Sequence, residues 1–161
     1  MSAQSRRLVI DASVASASGE TLHSRQCRDF LRAVLKICHR IVLTPPLTAE
    51  WNKHQSQFAR IWRAEMLSRG KVVNVPEVID ERVRSQVPKR KAVQKDLHLI
   101  EAAMATDSVV VSLDDRAHAD FRVEATANIT WVNALAVGGH AVYWLKKGAK
   151  PVKRWSLGHQ S

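Results

Sequence analysis

The sequence predicts an α/β fold in which a parallel sheet is covered by helices on both faces. Short, unbroken apolar runs such as residues 8–10 and 109–111 are typical of strands that are buried on both sides. Between such runs lie longer segments whose apolar residues recur every three or four positions, as in amphipathic helices. The chain has 161 residues, of which 45% are hydrophobic, so we expect one domain with a single core. Strands that alternate with helices favour a three-layer α/β/α arrangement.

The expected strands and helices follow one another along most of the chain. The five expected strands cover residues 8–10, 41–43, 71–75, 109–113 and 129–132. The expected helices cover residues 12–19, 25–39, 47–69, 78–86, 96–106, 116–127 and 133–145. Gly19 and Gly70 are placed to end two of these helices. Asp96 is placed to open the helix before the fourth strand.

The end of the chain is expected to be a separate unit. We place the domain in residues 1–145 and a basic, mobile tail in residues 146–161. Trp144, just before the tail, and Trp155 within it flank four lysines and an arginine, and aromatic rings beside basic groups can stack on unpaired nucleotides. The alternative for Trp144, just before the tail, is a place in the core or in an interface.

Composition indicates the compartment. No run approaches the roughly 20 apolar residues that a membrane span needs, and no long apolar region follows the N-terminal arginines as in a signal peptide. Cys27 and Cys38 form neither a metal-binding nor a redox motif, so we expect two core residues in a reducing compartment. We therefore expect a cytoplasmic protein without a membrane partner.

The charge of the chain favours a polyanionic partner. The formal net charge is +10, from 25 Lys and Arg against 15 Asp and Glu. Such a balance suits nucleic acid or an acidic protein, although basic charge also aids solubility.

Carboxylates are predicted to meet at one edge of the sheet. Helices that return between parallel strands begin where the strands end, and chemistry collects at that carboxyl edge. Asp11 follows the first strand, and Asp114 and Asp115 follow the fourth. Glu50 lies near the start of the helix after the second strand, and Asp96 opens the helix before the fourth. Capping of helices is the alternative role for Asp96 and Asp115.

A cluster of carboxylates needs a cation. Like charges a few ångströms apart raise one another's pKa or must be neutralised, and oxygen-only ligands suit Mg²⁺ or Mn²⁺. Such a site can activate water for an in-line displacement at phosphorus. His54 lies one helical turn after Glu50 and His118 one turn after Asp114, so a mixed site for a transition metal is the alternative. Asp107 is expected at the opposite edge.

A basic run precedes one of the acids. Four cations come directly before Asp96 and reach the acidic edge in the expected sheet: Lys89, Arg90, Lys91 and Lys95. There they would hold the phosphates that flank a scissile bond. A solvated basic loop is the alternative.

Four acidic segments occur in a set order along residues 8–132. They are Val9-Ile10-Asp11-Ala12-Ser13, Leu47-Thr48-Ala49-Glu50-Trp51, Asp96-Leu97-His98-Leu99-Ile100-Glu101-Ala102-Ala103 and Val110-Val111-Ser112-Leu113-Asp114-Asp115. This ordered set resembles the PIN-domain family, which includes the toxin ribonucleases of bacterial toxin–antitoxin pairs. The resemblance implies a five-stranded parallel sheet with strand order 3-2-1-4-5 and metal-dependent hydrolysis of RNA.

The same resemblance implies roles for the acids. Asp11, Asp96 and Asp114 would hold Mg²⁺ or Mn²⁺, and Glu50 would ligate a second ion or position the attacking water. The residues that would support the site are Ser13, Ser112 and Asp115. Asp115 is also the alternative to Asp114 as a metal ligand. A small antitoxin protein and a homodimer are partners that the family implies.

Two functions are carried forward. The first is an Mg²⁺- or Mn²⁺-dependent endoribonuclease that hydrolyses RNA phosphodiester bonds, as the toxin of a toxin–antitoxin pair. The alternative is a non-catalytic RNA-binding or regulatory module of the same fold. A third, weaker reading is a subunit whose positive surface meets an acidic protein.

Overall fold

The computed structural model describes residues 5–19, 24–114, 120–135 and 140–158. Its centre is one five-stranded, all-parallel sheet with the order β3-β2-β1-β4-β5, so the predicted fold class and strand order are confirmed. The strands are β1 Arg7–Ile10, β2 Arg40–Leu43, β3 Val72–Asn74, β4 Val109–Ser112 and β5 Thr130–Asn133.

Helices surround this sheet. They are α1 Ala12–Ala17, α2 Arg25–Lys36, α3 Pro45–His54, α4 Gln57–Ser68, α5 Glu81–Gln86, α6 Lys91–Met104 and α7 His140–Lys146. Two short 3-10 helices lie at Glu124–Thr126 and Lys153–Trp155. None of these described helices is long and apolar enough to span a membrane.

The two central strands are apolar because both of their faces are covered. Leu8, Val9 and Ile10 of β1 are at most 1% exposed, and β4 is buried throughout. Val9 pairs with Val110 in β4, which brings the carboxyl ends of the two strands side by side. The residues that follow them, Asp11 and Leu113, therefore leave the sheet at adjacent points.

The expected helix at residues 47–69 is wrong, because the structure has two helices there. Ser56 interrupts the apolar pattern and is the N-cap residue of α4. Its side chain accepts a hydrogen bond from the Ala59 N–H at 3.0 Å. The Ser56 N–H donates to the Ala15 carbonyl at 3.2 Å, so the break also contacts α1. Trp51 and Trp62 still stack across the break, with ring centroids 5.8 Å apart.

The prediction that Asp96 opens a helix is also wrong. α6 begins at Lys91, with Arg90 as its N-cap residue, so Asp96 lies inside the helix. The apolar pattern does extend further back, because Val93 lies one turn before Leu97 and is 1% exposed. The capping role considered for Asp96 is thereby removed.

Further helix boundaries differ from expectation, among them the end of α1, which comes at Ala17 and not at Gly19. Helix α2 ends at Lys36, and α5 begins at Glu81 after Asp80, whose side chain accepts from the Val83 N–H. Of the helix expected at residues 116–127, residues 116–119 lie outside the described part. Residues 121–127 form turns and a 3-10 helix, because the Thr126 hydroxyl donates to the Phe121 and Val123 carbonyls.

Residues 156–158 pack against β5, whereas a tail separate from the domain was expected. Asn133 belongs to β5, and the described part of the last helix is His140–Lys146, with residues 136–139 outside the described part. Ser156 forms a bridge to Thr130 at the free edge of β5. Leu157 is fully buried, and its N–H donates to the Ile129 carbonyl at 2.9 Å.

The cysteines differ from each other. Cys27 is buried as expected, and burial raises the pKa of its thiol to about 11, so it stays protonated. Cys38 is exposed, so its expected place in the core is wrong. The reason is that α2 ends before it, at Lys36.

Candidate functional site

Asp11 stands at the end of β1 and is held by two hydroxyls. Its backbone N–H donates to the Val111 carbonyl at 2.8 Å, and it is the N-cap residue of α1. Its Oδ2 accepts a hydrogen bond from Ser13 Oγ at 2.8 Å and another from Ser112 Oγ at 3.1 Å. Both serines that the sequence pointed to as supporting residues therefore contact this carboxylate.

The same two hydroxyls tie Asp11 to the end of β4. Ser112 Oγ accepts from the Asp114 N–H at 3.1 Å, and Ser13 Oγ accepts from the Leu113 N–H at 3.3 Å. The Asp114 carbonyl accepts from the Trp131 indole at 2.9 Å, which anchors it to β5. The Asp114 backbone is thus linked to the Asp11 carboxylate through Ser112, and Asp115 lies outside the described residues.

Glu50 is brought to this edge by its neighbour Trp51. The Trp51 indole is buried and donates to the Ile10 carbonyl at 2.8 Å, which docks α3 on the end of β1. Glu50 Oε2 lies 3.5 Å from His54 Nε2, one helical turn along α3. This contact is an ion pair whenever His54 is protonated.

The imidazole of His98 marks where α6 approaches the acids. Burial lowers the pKa of His98, whereas the negative charges of Asp11, Glu50 and Glu101 act to raise it. Its Nδ1 is buried and has no hydrogen-bond partner within the described part of the chain. Asp96 lies two residues earlier on α6, half-buried, and the helix contacts both β1 and β4.

The structure therefore gathers the predicted acids to different degrees. Ser112 Oγ contacts both the Asp11 carboxylate and the Asp114 backbone N–H. Trp51 docks α3, which carries Glu50, at the same edge. On α6, His98 lies near these acids. Across residues 5–19, 24–114, 120–135 and 140–158, no three His, Cys, Asp or Glu side chains stand close enough to hold a metal ion.

The predicted phosphate-binding cations lie on the surface at the start of α6. Lys89, Arg90, Lys91 and Lys95 are all exposed. The Arg90 guanidinium donates to Asp120 Oδ1 at 2.6 Å. Because α6 leads into β4 and runs antiparallel to it, its first turn lies toward the carboxyl edge of the sheet.

A buried carboxylate on α6 was missed by the sequence analysis. Glu101 is 2% exposed and accepts two hydrogen bonds from Arg84, each of 3.0 Å, and one from the Asp80 N–H at 2.5 Å. The sequence contains one signal for it: Glu101 lies one helical turn after Leu97 on the apolar face of α6, where a buried charge needs an oppositely charged partner.

The opposite edge carries Asp107, as expected. Its carboxylate accepts from the Arg7 N–H at 2.6 Å and from the Arg7 guanidinium at 3.1 Å. Burial alone would raise the pKa of Asp107, but the hydrogen bonds from Arg7 lower it overall. This acid is therefore structural and separate from the acids of the carboxyl edge.

The chain was also compared with known proteins. No family model, no curated protein and no solved structure matched it. The fold is shown by the strand order and the burial of the structure itself, and the resemblance to the PIN-domain family stays a prediction.

Proposed function

We propose that this protein is an endoribonuclease that uses Mg²⁺ or Mn²⁺ to hydrolyse RNA phosphodiester bonds. One observation carries the proposal: at the carboxyl edge of the two central strands, Ser112 Oγ donates to the Asp11 carboxylate and accepts from the Asp114 backbone N–H. Two acids at that position, in a chain of net charge +10, suit a phosphodiester substrate.

The donor set fits a hard divalent cation. Asp11, Asp114 and Asp96 offer only oxygen atoms, and Mg²⁺ and Mn²⁺ prefer such ligands. Ser13 and Ser112 both donate to the same oxygen of Asp11, which fixes the direction of its carboxylate. A bound ion would supply charge neutralisation and an activated water at this edge. In this proposal Glu50 orients the attacking water, and Asp115 supports the site or replaces Asp114 as a ligand.

The cations and the partners complete the proposal. Lys89, Arg90, Lys91 and Lys95 are exposed near the same edge and would contact phosphates on either side of the scissile bond. We include in the proposal a cytoplasmic location, a homodimer and a small acidic antitoxin protein as partner. A neighbouring reading frame that encodes a small acidic protein would support the antitoxin.

The test is cleavage of an end-labelled single-stranded RNA with Mg²⁺, with Mn²⁺ and with EDTA. We expect cut products only with metal, and a loss on the order of 100-fold or more in Asp11→Asn, Asp96→Asn and Asp114→Asn. Asp29→Asn is the matched control, since Asp29 is half-exposed on α2 and pairs with the surface residues Arg25 and Arg32. Circular dichroism and a melting curve check that each variant is folded.

Ser112→Ala tests the observation that carries the proposal. This change removes the hydroxyl that contacts both Asp11 and Asp114, so we expect cleavage to fall about 10- to 100-fold with the fold retained. Full activity in the Asp96→Asn variant would refute its assignment. Salt-dependent RNA binding without any cut product in Mn²⁺ would instead favour the non-catalytic RNA-binding module.

A further inference from the structure

A basic and aromatic groove lies beside α7, away from the acids of the carboxyl edge. It encloses about 440 Å³, which falls within the roughly 300–1,000 Å³ of ligand sites. Six of its lining residues define the α7 groove: His140, Tyr143, Lys147, Lys150, Arg154 and Trp155.

The groove has a fixed wall because the chain reverses after α7. Gly148 and Ala149 both have positive φ, of 100° and 51°, and turn the chain back along the helix. The Trp144 indole donates to the Lys150 carbonyl at 2.8 Å, and its ring packs edge-to-face on Trp155 with centroids 6.0 Å apart. Ser156 and Leu157 then fasten the segment to β5.

The groove has a strong positive charge. No Asp or Glu follows Glu124 in the sequence, whereas five Lys and Arg lie between residues 146 and 154. Lys147, Lys150 and Arg154 are exposed, and the residues that line the groove include no carboxylate. Within the described residues, these three cations form no ion pair, unlike Arg25 and Arg69 elsewhere on the surface.

Two aromatic rings lie among these cations, and the ring of Tyr143 is open to a ligand. Tyr143 is 62% exposed, with the Lys147 ammonium 5.3 Å from its ring centre. The Arg154 guanidinium lies 5.1 Å from the Trp155 ring centre. Aromatic rings and a guanidinium plane can stack on unpaired bases, and exposed cations beside them can neutralise the phosphates of those nucleotides.

We propose that the α7 groove is a second RNA-binding site, which takes an unpaired segment of RNA. A base would stack on Tyr143 or on the Arg154–Trp155 pair, and Lys147 and Lys150 would contact the flanking phosphates. Duplex RNA is disfavoured, because its bases are already stacked on one another. The inference takes RNA as the substrate class from the proposed function, but it can be tested without cleavage.

The test measures binding of a labelled twelve-nucleotide oligouridylate in EDTA by fluorescence anisotropy. We expect Lys147→Gln/Lys150→Gln to bind at least fivefold more weakly, and the slope of log K against log salt to fall by about 1.4 for two lost phosphate contacts. The matched control is Lys36→Gln/Arg60→Gln, which removes two exposed charges from α2 and α4 and should bind within twofold of the wild type.

The aromatic part has its own pair of variants. Tyr143→Ser should weaken binding on the order of tenfold, whereas Tyr143→Phe keeps the ring and should bind as the wild type does. Because Tyr143 is 62% exposed, neither change should unfold the protein.

Four results would overturn the inference. The first two are an equal loss of affinity in the groove variant and in its charge-matched control, and equal affinities of Tyr143→Ser and Tyr143→Phe. The third is binding of a twelve-base-pair RNA duplex that is as tight as that of the oligouridylate. The fourth is competition by polyglutamate that is as strong as competition by unlabelled oligouridylate. The outcome is distinct from that of the cleavage assay. Groove-dependent binding without cleavage would remove only the proposed enzyme, and cleavage without groove dependence would remove only this second site.

Discussion

The buried pair of Arg84 and Glu101 allows a quantitative test of how α5 is held against α6. Arg84→Met removes the guanidinium but keeps most of the apolar volume of the side chain. Glu101, which is 2% exposed, then retains only the Asp80 N–H as a hydrogen-bond donor among the contacts seen here. Removal of one partner from a buried ion pair typically costs about 3–5 kcal/mol. Because Arg84 is 35% exposed, we expect the lower end, about 3 kcal/mol, in the free energy of unfolding.

A second variant separates the net contribution of the ion pair to the free energy of unfolding from the cost of leaving one charge unpaired. In Arg84→Met/Glu101→Leu both charged groups are replaced by apolar ones, which is often close to neutral. We expect this double variant to lose only about 1 kcal/mol, chiefly for the unpaired Asp80 N–H. The effects should therefore be strongly non-additive, as is usual for residues in contact.

The assay is urea unfolding of the three proteins at pH 7. A loss below about 1 kcal/mol in Arg84→Met, or a double variant that loses as much as Arg84→Met does, would refute this reasoning.

Two further stability measurements follow from buried groups near the amino edge of the sheet. His39 accepts from the Arg6 N–H at Nδ1 and donates from Nε2 to the Leu145 carbonyl, so it is neutral, and burial lowers its pKa below the ordinary 6.5. The unfolded chain then takes up the proton first, and the free energy of unfolding should fall as the pH drops below about 6.5, whereas a flat profile from pH 7 to 5 would contradict this. Lys71 donates to three carbonyls at the end of α2, so Lys71→Met should lower the free energy of unfolding by about 2 kcal/mol in urea, with the exposed Lys36→Met as an unchanged control.

The sheet could be predicted from the sequence because its signals are local. Each strand is an apolar run, and the central run ends in Asp11, so burial on both faces and a polar carboxyl edge follow from a few consecutive residues. The contact of Asp11 with Ser112 joins residues 101 positions apart. It was predictable only because parallel strands bring their ends together.

The boundaries that failed depend on contacts that a linear pattern does not contain. The break at Ser56 is fixed by the Ala15 carbonyl of α1, and the tail is fixed by Thr130 of β5. Glu101 had a local signal, a charge on an apolar face, but its partner Arg84 is on another helix. Such pairs are found only when the two elements are already placed in space.

If the substrate is RNA, the acids of the carboxyl edge depend on the surface cations to bind it. Carboxylates at the end of β1 and β4 repel a phosphodiester, so they cannot supply the affinity for a polyanion. Charge is screened over about 8 Å at physiological salt, so a net charge of +10 helps only where cations lie close to the bound strand. The cations of residues 89–95 and the α7 groove are two such places. Changes in Asp11 or Asp114 should therefore lower the cleavage rate at saturating RNA, while changes in the α7 groove should lower the affinity and its salt dependence. If groove variants reduced the rate at saturating RNA and left the affinity unchanged, this division between binding and chemistry would be wrong.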